Sequence, residues 1–144
     1  MQYSSNTDLS SLEIKITVSS DRTATVESQT AGEPGLFTPT LELFLSRLNE
    51  SSILNILIGV AAGVRHLHER GIAHMQLNSK NVLILSENVY SIINLSNSHP
   101  ISNESTNDAK NDVYSFAQLM NEMFNKSSAK ITSSTQVPSA FNHL

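Results

Sequence analysis

The sequence contains no cysteine and no tryptophan, few charged residues and no long apolar run. Of its 144 residues, 15% are charged and 39% are hydrophobic. Without cysteine there can be no disulfide framework and no thiolate metal site. The longest strongly apolar stretch, Ile53 to Val64, is interrupted by Asn55 and is too short to cross a bilayer. We therefore expect a protein without membrane contact.

Excess charge of either sign is also missing, because the formal net charge is −4 at pH 7. The basic residues are scattered and form no stripe, so we expect no nucleic-acid partner. The segment Met1 to Ser5 is polar and does not resemble a signal peptide. Together with the lack of cysteine, this predicts a cytoplasmic, intracellular protein.

Serine and asparagine crowd both ends of the chain, a composition that favours loops over packed structure. We expect a disordered N-terminus over residues 1–10 and a flexible C-terminal tail over residues 126–144. The residues between these segments carry the hydrophobic periodicity and should form one small domain.

Two pairs of short apolar segments predict two β-hairpins. Leu12 to Val18 alternates apolar and polar residues, and a weaker strand is predicted from Thr23 to Gln29. The second hairpin is predicted from Val82 to Leu85 and from Val89 to Ile93. An isolated hairpin is only marginally stable, so the first must pack on another part of the protein.

Three segments show helical periodicity. The first is predicted from Leu41 to about Leu48, with Thr40 as its cap. The longest begins after Ser51 or Ser52 and ends near Arg70, where the next residue is a glycine. The third is predicted to be capped by Asn111 or Asp112 and to end near Phe124. Hairpin, helices, hairpin and helix together predict the α+β class.

The segment from His74 to Asn81 reads H-M-Q-L-N-S-K-N, which resembles the H-R-D-L-x-x-x-N catalytic loop of protein kinases. The L-H-x-x-G-I-x-H pattern that ends at His74 resembles the end of the helix preceding that loop. Asp112 to Phe116, D-V-Y-S-F, resembles the start of the central C-lobe helix. Three motifs in this order identify the chain as similar to the protein kinase family over residues 41–124.

The resemblance implies a partial protein-kinase-like fold, consisting mainly of the helical C-lobe. The first hairpin would be a residual pair of N-lobe strands, so residues 11–40 are expected to contain this hairpin and the hinge, with the hinge at 28–40. Residues 41–125 are expected to form the C-lobe core.

The same resemblance assigns positions in the kinase site, and most of them are changed. Gln76 stands where the family has the catalytic Asp, and Asn78 stands where it has the loop lysine. Asn81 retains a cofactor and metal position, whereas Asn94 replaces the metal-binding Asp of the D-F-G motif. His74 and Asp112 correspond to structural positions.

The N-lobe motifs are weaker still. No G-x-G-x-x-G occurs among the five glycines. Lys15 superficially matches the phosphate-pairing lysine of the family, but it precedes His74 by only 59 residues, a spacing shorter than the family's. ATP and Mg²⁺ are the cofactors that the resemblance implies, and these losses argue against both of them.

Read without the family, the same residues have plainer roles. His74 can be a core histidine, Asn81 a turn residue and Asp112 a helix cap. His66 and His68 are two residues apart on a helix, which predicts surface or edge positions and no shared metal ion. Two methionines of the third helix, Met120 and Met123, are predicted to lie in the core.

These observations lead to a hypothesis and three alternatives. The chain is expected to be a catalytically inactive, kinase-like module that binds a protein partner or itself, since missing C-lobe helices would leave apolar faces to cover. The first alternative is an active kinase, or a fragment of one, that transfers phosphate from ATP to protein Ser, Thr or Tyr. The second is a decayed gene product with no selected role, and the third is an unrelated helical interaction domain whose motif matches arise by chance.

Overall fold

The computed structural model describes residues 9–30, 39–101 and 107–127. Along these residues, two strands precede a first long helix, and four further strands precede a second. The strands are β1 (Leu12–Val18), β2 (Ala24–Thr30), β3 (Ile72–Ala73), β4 (Val82–Ser86), β5 (Val89–Ile92) and β6 (His99–Pro100). The helices are α1 (Glu50–Glu69) and α2 (Asn107–Lys126), and three 3₁₀ helices span Leu9–Ser11, Leu41–Arg47 and Leu95–Asn97.

The two predicted hairpins are confirmed, and they join into one antiparallel sheet. Its strand order is β2-β1-β5-β4, with β1 paired to β2 on one side and to β5 on the other. Ile16, for example, lies opposite Val26 and Tyr90. The second hairpin carries a bulge at Leu85, where the register shifts between its neighbours. Assignment of the first hairpin to an N-lobe stays a prediction.

Helix α1 covers the inward face of the sheet, which is how the first hairpin obtains the packing it needs. Alternation along β1 turns Ile14, Ile16 and Val18 inward, and all three are fully buried or nearly so. Burying large aliphatic side chains stabilises the fold by about 1.5–3 kcal/mol each. The core is completed by residues from α1, the strands and α2, including Leu57, Val60, Val64, Tyr90, Ile92, Phe116 and Met123.

Two ends of the predicted helices differ from the structure. Helix α1 is capped by Asn49, whose side chain accepts a hydrogen bond from the Ser52 backbone N–H, and not by Ser51 or Ser52. Thr40 precedes the first helical segment but makes no side-chain cap bond there. Its backbone instead bridges to Leu83 of β4, and the segment that follows Thr40 is a 3₁₀ helix.

The third helix begins earlier than predicted, at Asn107. Asp112 therefore lies in the second turn of α2, so the prediction that it caps the helix is wrong. Because the residues around Asn107 are polar, hydrophobic periodicity gave no signal for this first turn. The region before the helix contains a 3₁₀ turn and β6, which pairs with β3.

The predicted disordered N-terminus, hinge and flexible C-terminal tail fall largely outside the described residues. These segments include residues 1–8, 31–38 and 128–144. Within the described part, Leu9 packs against the hydrophobic core from a 3₁₀ turn. Gly71 has a φ of 75°, which confirms the predicted left-handed position after α1.

Glycines on the inward side of α1 allow the helix to approach the sheet closely. A Cβ atom at Gly59 would lie 2.9 Å from Cδ2 of Tyr90 and 3.3 Å from Cγ2 of Ile16. The Tyr90 ring has little freedom to move, because its hydroxyl donates to the Glu87 carbonyl and accepts from Asn55.

We expect Gly59→Ala to lower the free energy of unfolding by about 1–2 kcal/mol. Overpacking costs about 1–3 kcal/mol, which outweighs the gain of about 1 kcal/mol in helix propensity. Urea unfolding measures the difference. Arg65→Ala, at an exposed position of the same helix, is the control and should change stability by about 0.5 kcal/mol or less. A Gly59→Ala variant as stable as the wild type would show that α1 can move away from the sheet.

Candidate functional site

The loop from His74 to Asn81 connects β3 to β4 and is fixed at its start by the His74 ring. This ring is fully buried. Its Nε2 lies 2.8 Å from the Ile93 carbonyl oxygen, and its Nδ1 lies 3.1 Å from the Gln76 backbone nitrogen. A carbonyl only accepts and a backbone N–H only donates, so these partners select the neutral tautomer with the proton on Nε2.

Burial lowers the pKa of His74, although the Ile93 carbonyl and the Asp112 carboxylate favour the charged ring. The imidazole is therefore neutral at physiological pH. The expectation of a core histidine is confirmed. The family resemblance also assigned His74 a structural position, which agrees with this packing role.

Asp112 joins this loop to helix α2 from a fully buried position. Its Oδ2 accepts the backbone N–H of His74 at 2.8 Å, and its Oδ1 accepts that of Met75 at 2.9 Å. Met75 has a φ of 72°, a left-handed conformation that is uncommon for a residue with a side chain. Asp112 therefore holds the first residues of the loop against helix α2.

His68 completes the surroundings of this carboxylate. Its Nε2 lies 2.8 Å from Asp112 Oδ2, and its side chain is only 17% exposed. His68 is therefore an edge residue, as expected, but the expectation did not include its bond to Asp112. Its position one turn after the buried Val64 on α1 was the available signal, because residues four apart share a face. His66 bonds Ser28 of β2 instead.

The pKa of Asp112 is set by opposing effects. Burial by itself raises it, but hydrogen bonds from His68, Met75 and His74 outweigh burial and lower the pKa below its usual value of 3.8. The carboxylate is therefore ionised and fully hydrogen-bonded at neutral pH, which makes a buried charge tolerable.

The four changed or retained kinase positions, Gln76, Asn78, Asn81 and Asn94, lie together and are called here the amide cluster. Asn81 Nδ2 donates to the Gln76 carbonyl at 2.6 Å, and Asn78 Nδ2 reaches the same oxygen at 3.3 Å. Asn94 Nδ2 donates to Gln76 Oε1 at 3.2 Å and to Asn81 Oδ1 at 3.4 Å. The structure therefore brings together all four positions that the resemblance assigned to the site.

The chemistry of the amide cluster differs from that of a phosphotransfer site. An amide cannot accept a proton at neutral pH, and its oxygen offers a divalent cation no net charge. The Asn81 side-chain oxygen accepts from Asn94, and the Asn94 side-chain oxygen accepts from Ser96. Within residues 9–30, 39–101 and 107–127, no group of three or more His, Cys, Asp or Glu side chains could hold a metal ion. These residues do not fit a catalytic Mg²⁺.

Lys15, the superficial match to the phosphate-pairing lysine, lies in the middle of β1. It faces Glu27 on β2 and Ser91 on β5. Lys80 is exposed, and its backbone N–H donates to Asn78 Oδ1.

A family model described as protein tyrosine and serine/threonine kinase matches residues 33–109, just over half of the sequence. The chain belongs to the protein kinase family. The match contains the catalytic-loop segment and the amide cluster, and together with the Asp112 contacts it excludes the chance resemblance of an unrelated helical domain. No curated protein matches the sequence significantly. In the described part of this kinase-family chain, no helix is long and apolar enough to cross a membrane.

Replacing Asp112 with asparagine should lower the free energy of unfolding by about 1–3 kcal/mol at pH 7. The amide removes the charge and turns an NH₂ group towards one set of N–H donors, leaving a buried donor unpaired. The difference should shrink in acid. Because the folded pKa is lowered, the carboxylate stabilises the fold above the unfolded value of 3.8 and loses this effect as the pH falls through the folded value.

Urea titrations at several pH values test this expectation. Asp108→Asn is the matched control on the same helix, since Asp108 makes a partly exposed contact of 3.5 Å with His99. That change should alter stability by about 1 kcal/mol or less. Equal losses in the two variants would contradict the role given to Asp112.

Proposed function

We propose that this chain is a catalytically inactive, kinase-like module that acts by binding. The observation that carries the proposal is the amide cluster. The positions of the catalytic base and of the metal-binding Asp both hold amides, and Gln76 and Asn94 hydrogen-bond to each other at 3.2 Å.

Rate arithmetic supports the absence of phosphotransfer. A positioned general base contributes about 10²–10⁴ in rate, equivalent to about 3–5 kcal/mol of barrier at 1.36 kcal/mol per tenfold. Kinase catalysis also depends on metal ions that neutralise charge on the transferred phosphoryl group. Gln76 and Asn94 supply neither contribution, and the sequence has no glycine-rich phosphate loop.

The hydrogen bonding of the buried polar side chains supports a module that acts as a folded protein. In the described residues, every buried side-chain nitrogen and oxygen atom has a hydrogen-bond partner. The amides at 76 and 94 are thus accommodated without a buried, unpaired side-chain atom among the described residues. A stable kinase-like fold without phosphotransfer chemistry can act through its surface.

A few exposed apolar side chains are available to contact a partner. Helix α2 exposes mainly polar side chains, apart from Tyr114, which is 63% exposed, and Ala117. Leu43 and Leu85, 63% and 44% exposed, lie on the 3₁₀ segment Leu41–Arg47 and on β4, which contact each other. A protein partner, or a second copy of the chain, in the cytoplasm is the ligand class that we propose.

An active kinase is the competing function, and transfer of radiolabelled phosphate from ATP separates the two. With Mg²⁺ or Mn²⁺ and a general protein acceptor, we expect the purified chain to show no turnover above the blank. Asn81→Ala serves as the control for contaminating kinases. Turnover by the wild type that disappears in Asn81→Ala would overturn the proposal.

Nucleotide binding is measured separately by thermal shift with ATP and Mg²⁺. A ligand at 100 times its Kd stabilises a protein by about 2.7 kcal/mol, so specific binding would give a clear rise in Tm. We expect no Mg²⁺-dependent rise for the wild type. A rise that requires Mg²⁺ and disappears in Asn81→Ala would favour the kinase alternative.

A further inference from the structure

The His74 ring connects the buried core to the amide cluster through two hydrogen bonds. Its Nδ1 accepts the Gln76 backbone N–H, and Gln76 in turn holds Asn78 and Asn81 through its carbonyl and Asn94 through its side chain. Its Nε2 bonds the carbonyl of Ile93, the residue immediately before Asn94. Every member of the amide cluster is thus tied to one titratable ring.

Protonation of this ring would break one of the two bonds. A second proton occupies Nδ1, which then faces the Gln76 N–H as donor against donor. The bond from Nε2 to the Ile93 carbonyl survives, because that nitrogen already donates. Gln76 would lose its partner in a part-buried position, and unpaired N–H groups in such positions are disfavoured.

The neighbouring charged groups respond differently to acid. Asp112 accepts from the His74 backbone N–H and from His68 Nε2, and in both bonds the nitrogen is the donor. On the β6 side, His99 is partly exposed and lies 3.5 Å from Asp108, apart from the buried ring. Among these groups, His74 is the one whose protonation removes a hydrogen bond.

We infer that protonation of His74 opens the amide cluster while the Asp112 contacts to the loop remain closed. The first residues of the loop are the structural reason for this separation. The N–H groups of His74 and Met75 are held by a carboxylate, whereas the next N–H, that of Gln76, is held by the imidazole. Acid therefore breaks the hydrogen bond of the Gln76 N–H and leaves those of the His74 and Met75 N–H groups intact.

The window for this change lies below the usual histidine pKa of 6.5, because burial lowers the pKa of His74. The unfolded or opened loop binds the proton more readily than the closed loop. Closure is therefore fully favourable above pH 6.5 and weakens as the pH falls through the lower value of the closed state.

Hydrogen exchange followed by NMR on the full chain tests the inference. Between pH 7.5 and pH 5, the protection factor of the Gln76 N–H, corrected for intrinsic exchange, should fall at least tenfold relative to those of His74 and Met75. The side-chain NH₂ resonances of Asn81 and Asn94 should shift over the same range. Amides of α1, such as that of Val60, report global unfolding and should stay protected.

Two variants assign the change to one ring. His74→Asn supplies a side-chain oxygen as a non-titrating acceptor near the Nδ1 position, so the pH step should disappear. His68→Gln retains a donor for Asp112 and should leave the step in place. Joint loss of protection at Gln76, Met75 and Val60 would overturn the inference, as would a step that persists in His74→Asn or disappears in His68→Gln. Should His74→Asn fail to fold, the protection factors of the Gln76 and Met75 N–H groups in the wild type still test the inference. Equal losses at the two groups between pH 7.5 and pH 5 would overturn it.

Discussion

The buried carboxylate of Asp112 is the interaction on which the arrangement of this protein depends. It binds three N–H groups from two other parts of the chain, His68 near the end of α1 and the backbone of His74 and Met75. Its negative charge could not be buried without these donors, and the left-handed backbone at Met75 would be unfavourable without the carboxylate that holds it. Charge and backbone geometry therefore depend on each other.

The amide cluster lies next to this anchor and shows how a kinase-type loop can be retained after its charges are lost. In a phosphotransfer site, carboxylates at positions 76 and 94 would repel each other unless a cation or proton lay between them. The asparagine at 94 instead donates directly to the glutamine oxygen at 76, because an amide carries a donor that a carboxylate lacks. The loop is thus closed by its own side chains, consistent with a fold preserved for its packing.

Hydrophobic periodicity predicted most of the elements because their inward faces are regular. Alternation in β1 and the glycine after α1 are local signals, and both hairpins and the long helix lie where the pattern placed them. The start of α2 was missed because its first turn is polar. The cap of α1 was also misassigned, since Asn49, Ser51 and Ser52 are all good capping residues and only the actual backbone geometry selects among them.

The motif from His74 to Asn81 similarly located the candidate site and the core position of His74, and the D-F-G position added Asn94. It could not reveal the partner of Asp112 on α1. His68 lies 44 residues away in sequence, and a histidine beside an apolar stripe is compatible with either solvent or a buried bond. The choice of a carboxylate partner requires knowledge of where α2 crosses α1.

The sequence by itself therefore determined the family resemblance, the helices and hairpins, and the loss of carboxylates from the site, because each follows from residue identity at short spacing. Tertiary structure alone decided that the hairpins share one sheet, that Asp112 is an anchor and not a cap, and that the amides close on one another. Those features depend on contacts between residues distant in the chain, and a pattern of local spacing carries no information about which distant groups meet.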